Sequence, residues 1–397
     1  MTYSIAQLLH DESAVEAFIA SVTSIEPLIH AHASDLRHGP DLPGPIANAL
    51  GEAGLTSLWV PKSLGGPELS PAGLIRVVEA LARLDGSVAW CAGVAAAGSR
   101  IAGLVPRHVS RSIFSAHGSV AGSLMPGGTA LRESGGWRVS GRWQWGSFVR
   151  HSRAVVVACR ERHEGADISE NGPTVLRLAI VPTSDIAILD NWRAAGLRAT
   201  GSHDYTIDRV FVPDDWTISL SDYSAAPHES GALYGLPFVT VLGLGIAAVP
   251  LGLARAAIDS LCELAKAKMG NGSPGLLEDE AHVQSDIARA EAMLRSARAF
   301  LLDSVDDMWK TAGRKGGNTL HDRALVRMAC WHTAQTAREV VQAMHLLAGG
   351  TAVSDNSAFA AQLRDVHTAS QHIYFSMRNL EAAGRVMLGM NVGTERF

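Results

Sequence analysis

Several signatures that would settle a function quickly are missing from this sequence. No G-x-G-x-x-G follows a strand-like run and no G-x-x-x-x-G-K-[ST] occurs, so the chain carries no recognisable nicotinamide or ATP machinery of its own. It has only four cysteines, Cys91, Cys159, Cys262 and Cys330, and none sits in a C-x-x-C pair or beside spaced histidines. That excludes a disulfide framework or a zinc site as a sequence-level reading. Sixteen histidines are present without an H-E-x-x-H or comparable spacing, so no metal is expected. Charged residues make up only 18% of the chain, the net charge is −5, and lysines and arginines are scattered. Nothing there resembles a nucleic-acid footprint. The start, MTYSIAQLLHDESAVEAF, lacks the charged and apolar regions of a signal peptide. The most apolar stretch, 236–254, is interrupted by glycines and two prolines and reads as a buried core helix through Val239, Val241, Leu242, Leu244 and Ile246. A cytoplasmic protein without a membrane or nucleic-acid partner is expected.

What is present is apolar material, 47% of 397 residues, enough for a large core in two or three units. Up to residue 116, apolar positions recur at helical spacing in AVEAFIASVTSIEPLI, IANALGEAGL and AGLIRVVEALARL. Between about 117 and 232 the pattern changes to short alternating runs rich in Val, Ile and Trp, such as GWRVSGRWQW, RAVVVAC and DYTIDRVFVP. From 233 to 397 helical spacing returns in four long stretches, 237–268, 279–312, 320–348 and 357–388. Strands and helices are segregated, which predicts an α+β chain and argues against a doubly wound parallel sheet. The expected order is an N-terminal helical domain (1–116), a central antiparallel β-barrel-like domain (117–232) and a C-terminal four-helix bundle (233–397).

Three segments in that order resemble the acyl-CoA dehydrogenase superfamily. Leu197-Arg198-Ala199-Thr200-Gly201-Ser202 followed by VFVP is similar to its G-x-x-G-S strand ending in F-V-P. Gly349-Gly350 with Arg364-Asp365 is similar to its G-G…R-D pairing, and Gly141-Arg142-Trp143-Gln144-Trp145-Gly146-Ser147 sits where dehydrogenases carry a Trp-Ile-Thr element on the flavin ring. Within the superfamily the chain more closely resembles the oxygenase components of two-component flavin monooxygenases. That subgroup's G-x-W-x-W-x-S-x-x-x-H is matched by Gly141, Trp143, Trp145, Ser147 and His151, its R-D-x-H and second histidine by Arg364, Asp365, His367 and His372, and its G-S-x-x-W by Gly86 to Trp90.

The carboxylate base of a dehydrogenase has no evident counterpart. No acid lies between Asp365 and Glu381, where the commonest base would stand, nor between Glu229 and Asp259, the second known location. His372 stands one residue from the usual glutamate, and an imidazole can donate a hydrogen bond or take a proton near neutral pH. An ionised carboxylate can only accept. The resemblance therefore implies reduced FMN or FAD delivered by a separate NAD(P)H:flavin reductase, O₂ as co-substrate, a C4a-hydroperoxyflavin and oxygenation of a small organic, aromatic substrate. It implies His372 and Ser147 as catalytic, with Ser147 at flavin N5. Trp143, Trp145, Arg198, Thr200, Ser202, Gly349 and Gly350 would bind cofactor, the glycines from a neighbouring subunit of a homotetramer. Trp90, His151 and His203 would line the substrate pocket. Period two puts Trp143 and Trp145 on one face of a strand, as β-unit core or flavin walls. The dehydrogenases' Arg-x-x-Phe-Gly…Gln clamp is not visible in 266–273 or at Gln284, so FMN and FAD are not distinguished. An acyl-CoA dehydrogenase with another base and a non-catalytic flavin-binding relative remain as alternatives.

Overall fold

The structure, a computed structural model, describes residues 5–163, 175–220, 227–270, 274–312 and 317–392; 271–273, the end of the 266–273 segment, lie outside them. Six helices come first: α1 (Ile5–Ala31), α2 (Ala33–His38), α3 (Gly44–Glu52), α4 (Pro71–Leu84), α5 (Gly86–Gly98) and α6 (Arg107–Phe114). α4 shows why this region is helical. Ser70 caps it by accepting the Gly73 N–H at 3.1 Å, Pro71 fills the first turn, and Leu74, Ile75, Val77, Val78 and Leu81 form the buried stripe. Asp85 then caps α5, accepting the N–H groups of Ser87 and Val88 at 2.9 and 3.0 Å.

Seven strands follow: β1 (Val120–Glu133), β2 (Gly136–Gly146), β3 (Ala154–Arg162), β4 (Leu176–Pro182), β5 (Ala187–Ile188), β6 (His203–Pro213) and β7 (Thr217–Leu220). They form one sheet in the order β5-β6-β2-β1-β3-β4-β7. The sheet corrects the expected antiparallel barrel, because β1 and β3 run parallel and β5 and β7 are edges, leaving it mixed and open. Side-chain alternation reports that a segment is a strand, not the direction of its partner. β3 is buried on both faces. Val156 and Ala158 join the helical core, whereas Val155, Val157 and Cys159 join a second core with Trp137, Val139, Trp143, Tyr205 and Ile207.

The C-terminal region holds α7 (Phe238–Leu242), α8 (Leu244–Ala265), α9 (Ala281–Thr311), α10 (Leu320–Ala348), α11 (Ala358–Ala369) and α12 (Met377–Met387). By length and apolar content Phe238–Ala265 could cross a membrane, but 89% of its most apolar window is buried inside the protein. Two of the four expected long helices are divided, so the C-terminal region is a set of packed helices. The first divides at Gly243. The second breaks at 370–376, and its cause is a polar clamp: Asn379 Nδ2 donates to the carbonyls of Ile373 and Tyr374, both at 2.9 Å, while Arg327 donates to Asn379 Oδ1 at 2.6 Å. Tyr374 Oη also donates to the Thr240 carbonyl of α7. Apolar spacing continues across this break, which is why the segment reads as one helix.

Candidate active site

The break in the last helix places His372. Its backbone is extended (φ −61°, ψ 140°), and its Nδ1 accepts the Tyr374 N–H at 3.2 Å. A backbone N–H can only donate, so Nδ1 must be the bare nitrogen and the neutral ring carries its proton on Nε2. The ring lies edge-on to Trp90, centroids 5.8 Å apart, and 6.4 Å from that of Phe375. Burial among these groups pushes its pKa down to about 4. The residue is nevertheless exposed to solvent. Both facts hold for a group that lies deep in the protein and lines a recess, and they leave His372 a neutral donor at physiological pH.

Trp90 joins His372 to the sheet. α5 is buried along its length except at Val94 and Gly98, one and two turns beyond Trp90, which are partly exposed. The Trp90 indole N–H donates to Ser147 Oγ at 3.0 Å. Ser147 Oγ is 2.7 Å from Ser202 Oγ, which is 2.7 Å from Thr200 Oγ1, and Thr200 Oγ1 donates to the Leu197 carbonyl at 2.9 Å. Three of the residues around this chain, Trp145, Phe148 and Leu197, have left-handed backbones (φ 62°, 65° and 50°). Such conformations cost on the order of 1–3 kcal/mol each in non-glycine residues and collect at functional sites.

The loop carrying Thr200 and Ser202 is pinned from the C-terminal helices. Asp365 on α11 accepts the Leu197 N–H at 2.6 Å. A Cβ on Gly196 would sit 2.2 Å from the Arg364 carbonyl oxygen, so only glycine permits this approach. Asp365 is partly buried, and desolvation together with the nearby Asp85 carboxyl pushes its pKa up to about 7. This acid is the structural meaning of the Arg-Asp motif. Sequence reasoning met Asp365 only as part of that motif and missed Asp85, although an aspartate directly before G-S-x-x-W is an N-cap pattern that could have drawn attention to it.

The structure places the other expected cofactor and substrate residues and corrects one reading among them. Trp143 and Trp145 do not share a face: Trp143 is buried, donating to the Ala158 carbonyl at 2.9 Å and stacking on Tyr205, whereas Trp145 is 62% exposed. The reason is the register shift between Trp143 and Gly146 in the β2–β6 pairing, combined with the left-handed Trp145. Thr200 and Ser202 are buried with their hydroxyls in the Ser147 chain. Arg198 is exposed and reaches the Ala194 and His38 carbonyls at 3.4 Å. His151 and His203 each have partners within the chain. His151 Nε2 pairs with the Leu42 carbonyl at 2.9 Å, and His203 accepts the Trp192 N–H on Nδ1 at 3.1 Å and donates from Nε2 to Asp41 at 3.1 Å. Asp41, Asp190 and His203 bring ligand atoms within 4.8 Å of one another, but Arg150 lies 3.2 Å from both aspartates and Arg193 3.4 Å from Asp190, so both carboxylates are already paired. Gly349 ends α10 with φ 57° and ψ −137°; beside it Lys268 Nζ donates to the Ala348 carbonyl at 2.6 Å, and Gly350 is exposed. Neither glycine belongs to the Trp90–Ser147–His372 group.

The helix–sheet–helix order and the matching of separate family models settle the lineage. Residues 13–104 match the acyl-CoA dehydrogenase N-terminal domain and residues 244–377 the acyl-CoA dehydrogenase C-terminal domain. The chain belongs to the acyl-CoA dehydrogenase superfamily. Among superfamily relatives, indole-3-acetate monooxygenase of Pseudomonas putida is 29% identical over 87% of this chain and 86% of its own length. The flavin-dependent monooxygenase oxygenase subunit HsaA of Mycobacterium tuberculosis is 24% identical over 90% of this chain and 91% of its own. The solved structure of XiaF from Streptomyces sp., in complex with FADH2 and glycerol, shares the fold with a TM-score of 0.88 at 21% identity, covering 96% of this chain and 97% of XiaF.

Proposed function

We propose that this protein is the oxygenase component of a two-component flavin-dependent monooxygenase. It takes reduced FMN or FAD from a separate NAD(P)H:flavin reductase in the cytoplasm and uses O₂ to oxygenate a small aromatic substrate. The observation that carries this reading is His372: a neutral imidazole, held by Tyr374 with its Nε2–H left for the recess, beside the position of the dehydrogenase glutamate. Indole-3-acetate monooxygenase and the HsaA oxygenase subunit are relatives over most of the chain. Residues near His372 fit a flavin ring: Val94 offers partly exposed apolar surface beside the Trp90 indole, and Ser147 has a hydroxyl oxygen with a lone pair to spare. The bound flavin would supply the electrons and the site of O₂ activation. The chain's own residues orient the ring, exclude water and place the His372 N–H donor. Leu346, Val353, Met387 and Leu388 are exposed on the C-terminal helices and adjoining turns. They support a homotetramer in which the Gly349–Gly350 turn meets a neighbouring subunit.

The test is turnover with chemically reduced flavin, O₂ and a panel of aromatic acids and phenols, comparing product with hydrogen peroxide. His372→Ala should still bind reduced flavin while product per O₂ falls about a hundredfold, the scale of one acid–base or charge-stabilising group. His372→Asn should recover part of that, because an amide also donates. Full coupling in His372→Ala, or dye reduction by a simple acyl-CoA at an ordinary enzymatic rate, would overturn the proposal.

A further inference from the structure

The proton directions in the hydroxyl chain behind Ser147 follow by elimination. The Leu197 carbonyl can only accept, so the single proton of Thr200 Oγ1 is spent on it. Ser202, 2.7 Å from Thr200 Oγ1, must then donate to it, and Ser147, 2.7 Å from Ser202 Oγ, must donate to Ser202. Trp90 donates to Ser147 and fills one of its two lone pairs. What remains on Ser147 is one lone pair and no free proton. Thr200, Ser202 and Ser147 are all buried, so water does not compete for these bonds.

We infer that Thr200 and Ser202 are positioning residues that make Ser147 an obligate hydrogen-bond acceptor and thereby let the protein choose the redox state of its flavin. The inference rests on the reading above, that a flavin ring lies against Ser147. A reduced flavin carries an N5–H that a bare oxygen lone pair accepts. An oxidised flavin presents its own lone pair at N5, which an acceptor-only serine repels. Selectivity then resides in the polarity of a buried chain, rather than in a contact between Thr200 or Ser202 and the cofactor.

Anaerobic titration of the full-length protein with dithionite-reduced and with oxidised FMN, and separately with FAD, measures the ratio of the two affinities. Ser202→Ala removes the acceptor for the Ser147 proton, which is then free to turn toward the recess. The ratio should fall about tenfold to a hundredfold, mainly through tighter binding of oxidised flavin, the scale of one buried hydrogen bond gained or lost. Thr200→Val, nearly isosteric, should act in the same direction by freeing the Ser202 proton, and Ser202→Thr should restore the ratio. A purely structural role would weaken both redox forms alike. An unchanged ratio in Ser202→Ala and Thr200→Val, with Ser147→Ala still weakening reduced flavin, overturns the relay alone. If Ser147→Ala leaves both affinities untouched, the placement of flavin at Ser147 fails, and this inference with it.

Discussion

Replacing Asp365 by asparagine should make the protein more stable at pH 8 relative to the wild type than at pH 5. Asp365 has two loads: it accepts the Leu197 N–H at 2.6 Å, and it is desolvated near Asp85. Its pKa rises from 3.8 to about 7, which at about 1.4 kcal/mol per pH unit separates its protonated and ionised forms by about 4 kcal/mol. The folded state therefore keeps a proton that the unfolded chain releases at about pH 4. Stability from this group is fully present below pH 3.8 and is lost as pH rises through about 7. Asparagine keeps a carbonyl for Leu197 and an N–H where the carboxylic acid had its proton, and it never ionises. Urea unfolding of wild type and Asp365→Asn at both pH values gives a double difference in which titrating groups not coupled to Asp365 cancel, expected at about 2.5 kcal/mol in favour of the variant at pH 8, because at pH 5 the unfolded aspartate is already mostly ionised. Asp365→Ala, which strips Leu197 of its acceptor, should instead cost about 1–3 kcal/mol at both pH values. A double difference near zero or of opposite sign would refute the protonated-acid reading.

Two further outcomes follow from the same geometry. Gly196→Ala should destabilise the protein by about 2 kcal/mol or more and weaken flavin binding, because the new Cβ meets the Arg364 backbone, which cannot turn away as a side chain can; wild-type melting and flavin affinity would show that the loop is free to move. In flavin-free protein the His372 ring should titrate near pH 4 with its neutral proton on Nε2, so ¹⁵N-detected imidazole spectra showing a midpoint near 6.5 or an Nδ1–H tautomer would contradict the site geometry.

Much of this arrangement is legible in the sequence because it is written in local pattern. The helical spacing around Leu74–Leu81, the alternation in the strands and the serine two residues after Trp145 all survive translation into structure. Three things do not. Strand direction is absent from side-chain alternation, so the parallel β1–β3 pair is invisible. The period-two rule fails at Trp145, because a left-handed residue and a register shift reverse the face within two positions. The break around His372 depends on Asn379 and Arg327, which lie 7 residues after and 45 before it, and apolar spacing does not register such a clamp. His151 and His203 show a complementary limit: a backbone carbonyl at Leu42 and the carboxylate of Asp41 partner them from more than 100 residues away, which local pattern does not reveal.

The polarity of the two central groups also separates oxygenation from dehydrogenation, the nearest rival. A dehydrogenase must accept a proton from its substrate, and it works on an oxidised flavin whose N5 is bare. His372 offers the reverse of the first requirement: Nδ1 is occupied by the Tyr374 N–H and Nε2 already carries a proton, so the ring presents a donor where a base would accept. Ser147, if a flavin lies against it as proposed, offers the reverse of the second, since its proton is directed away to Ser202 and only a lone pair is left over. Reversing either polarity alone would leave a crippled dehydrogenase. Reversing both gives a site complementary to a flavin that arrives with N5 protonated and to an oxygen-bearing group that needs a hydrogen-bond donor. Tyr374 and Thr200, neither of which needs to touch the flavin, set these polarities through the single proton each commits.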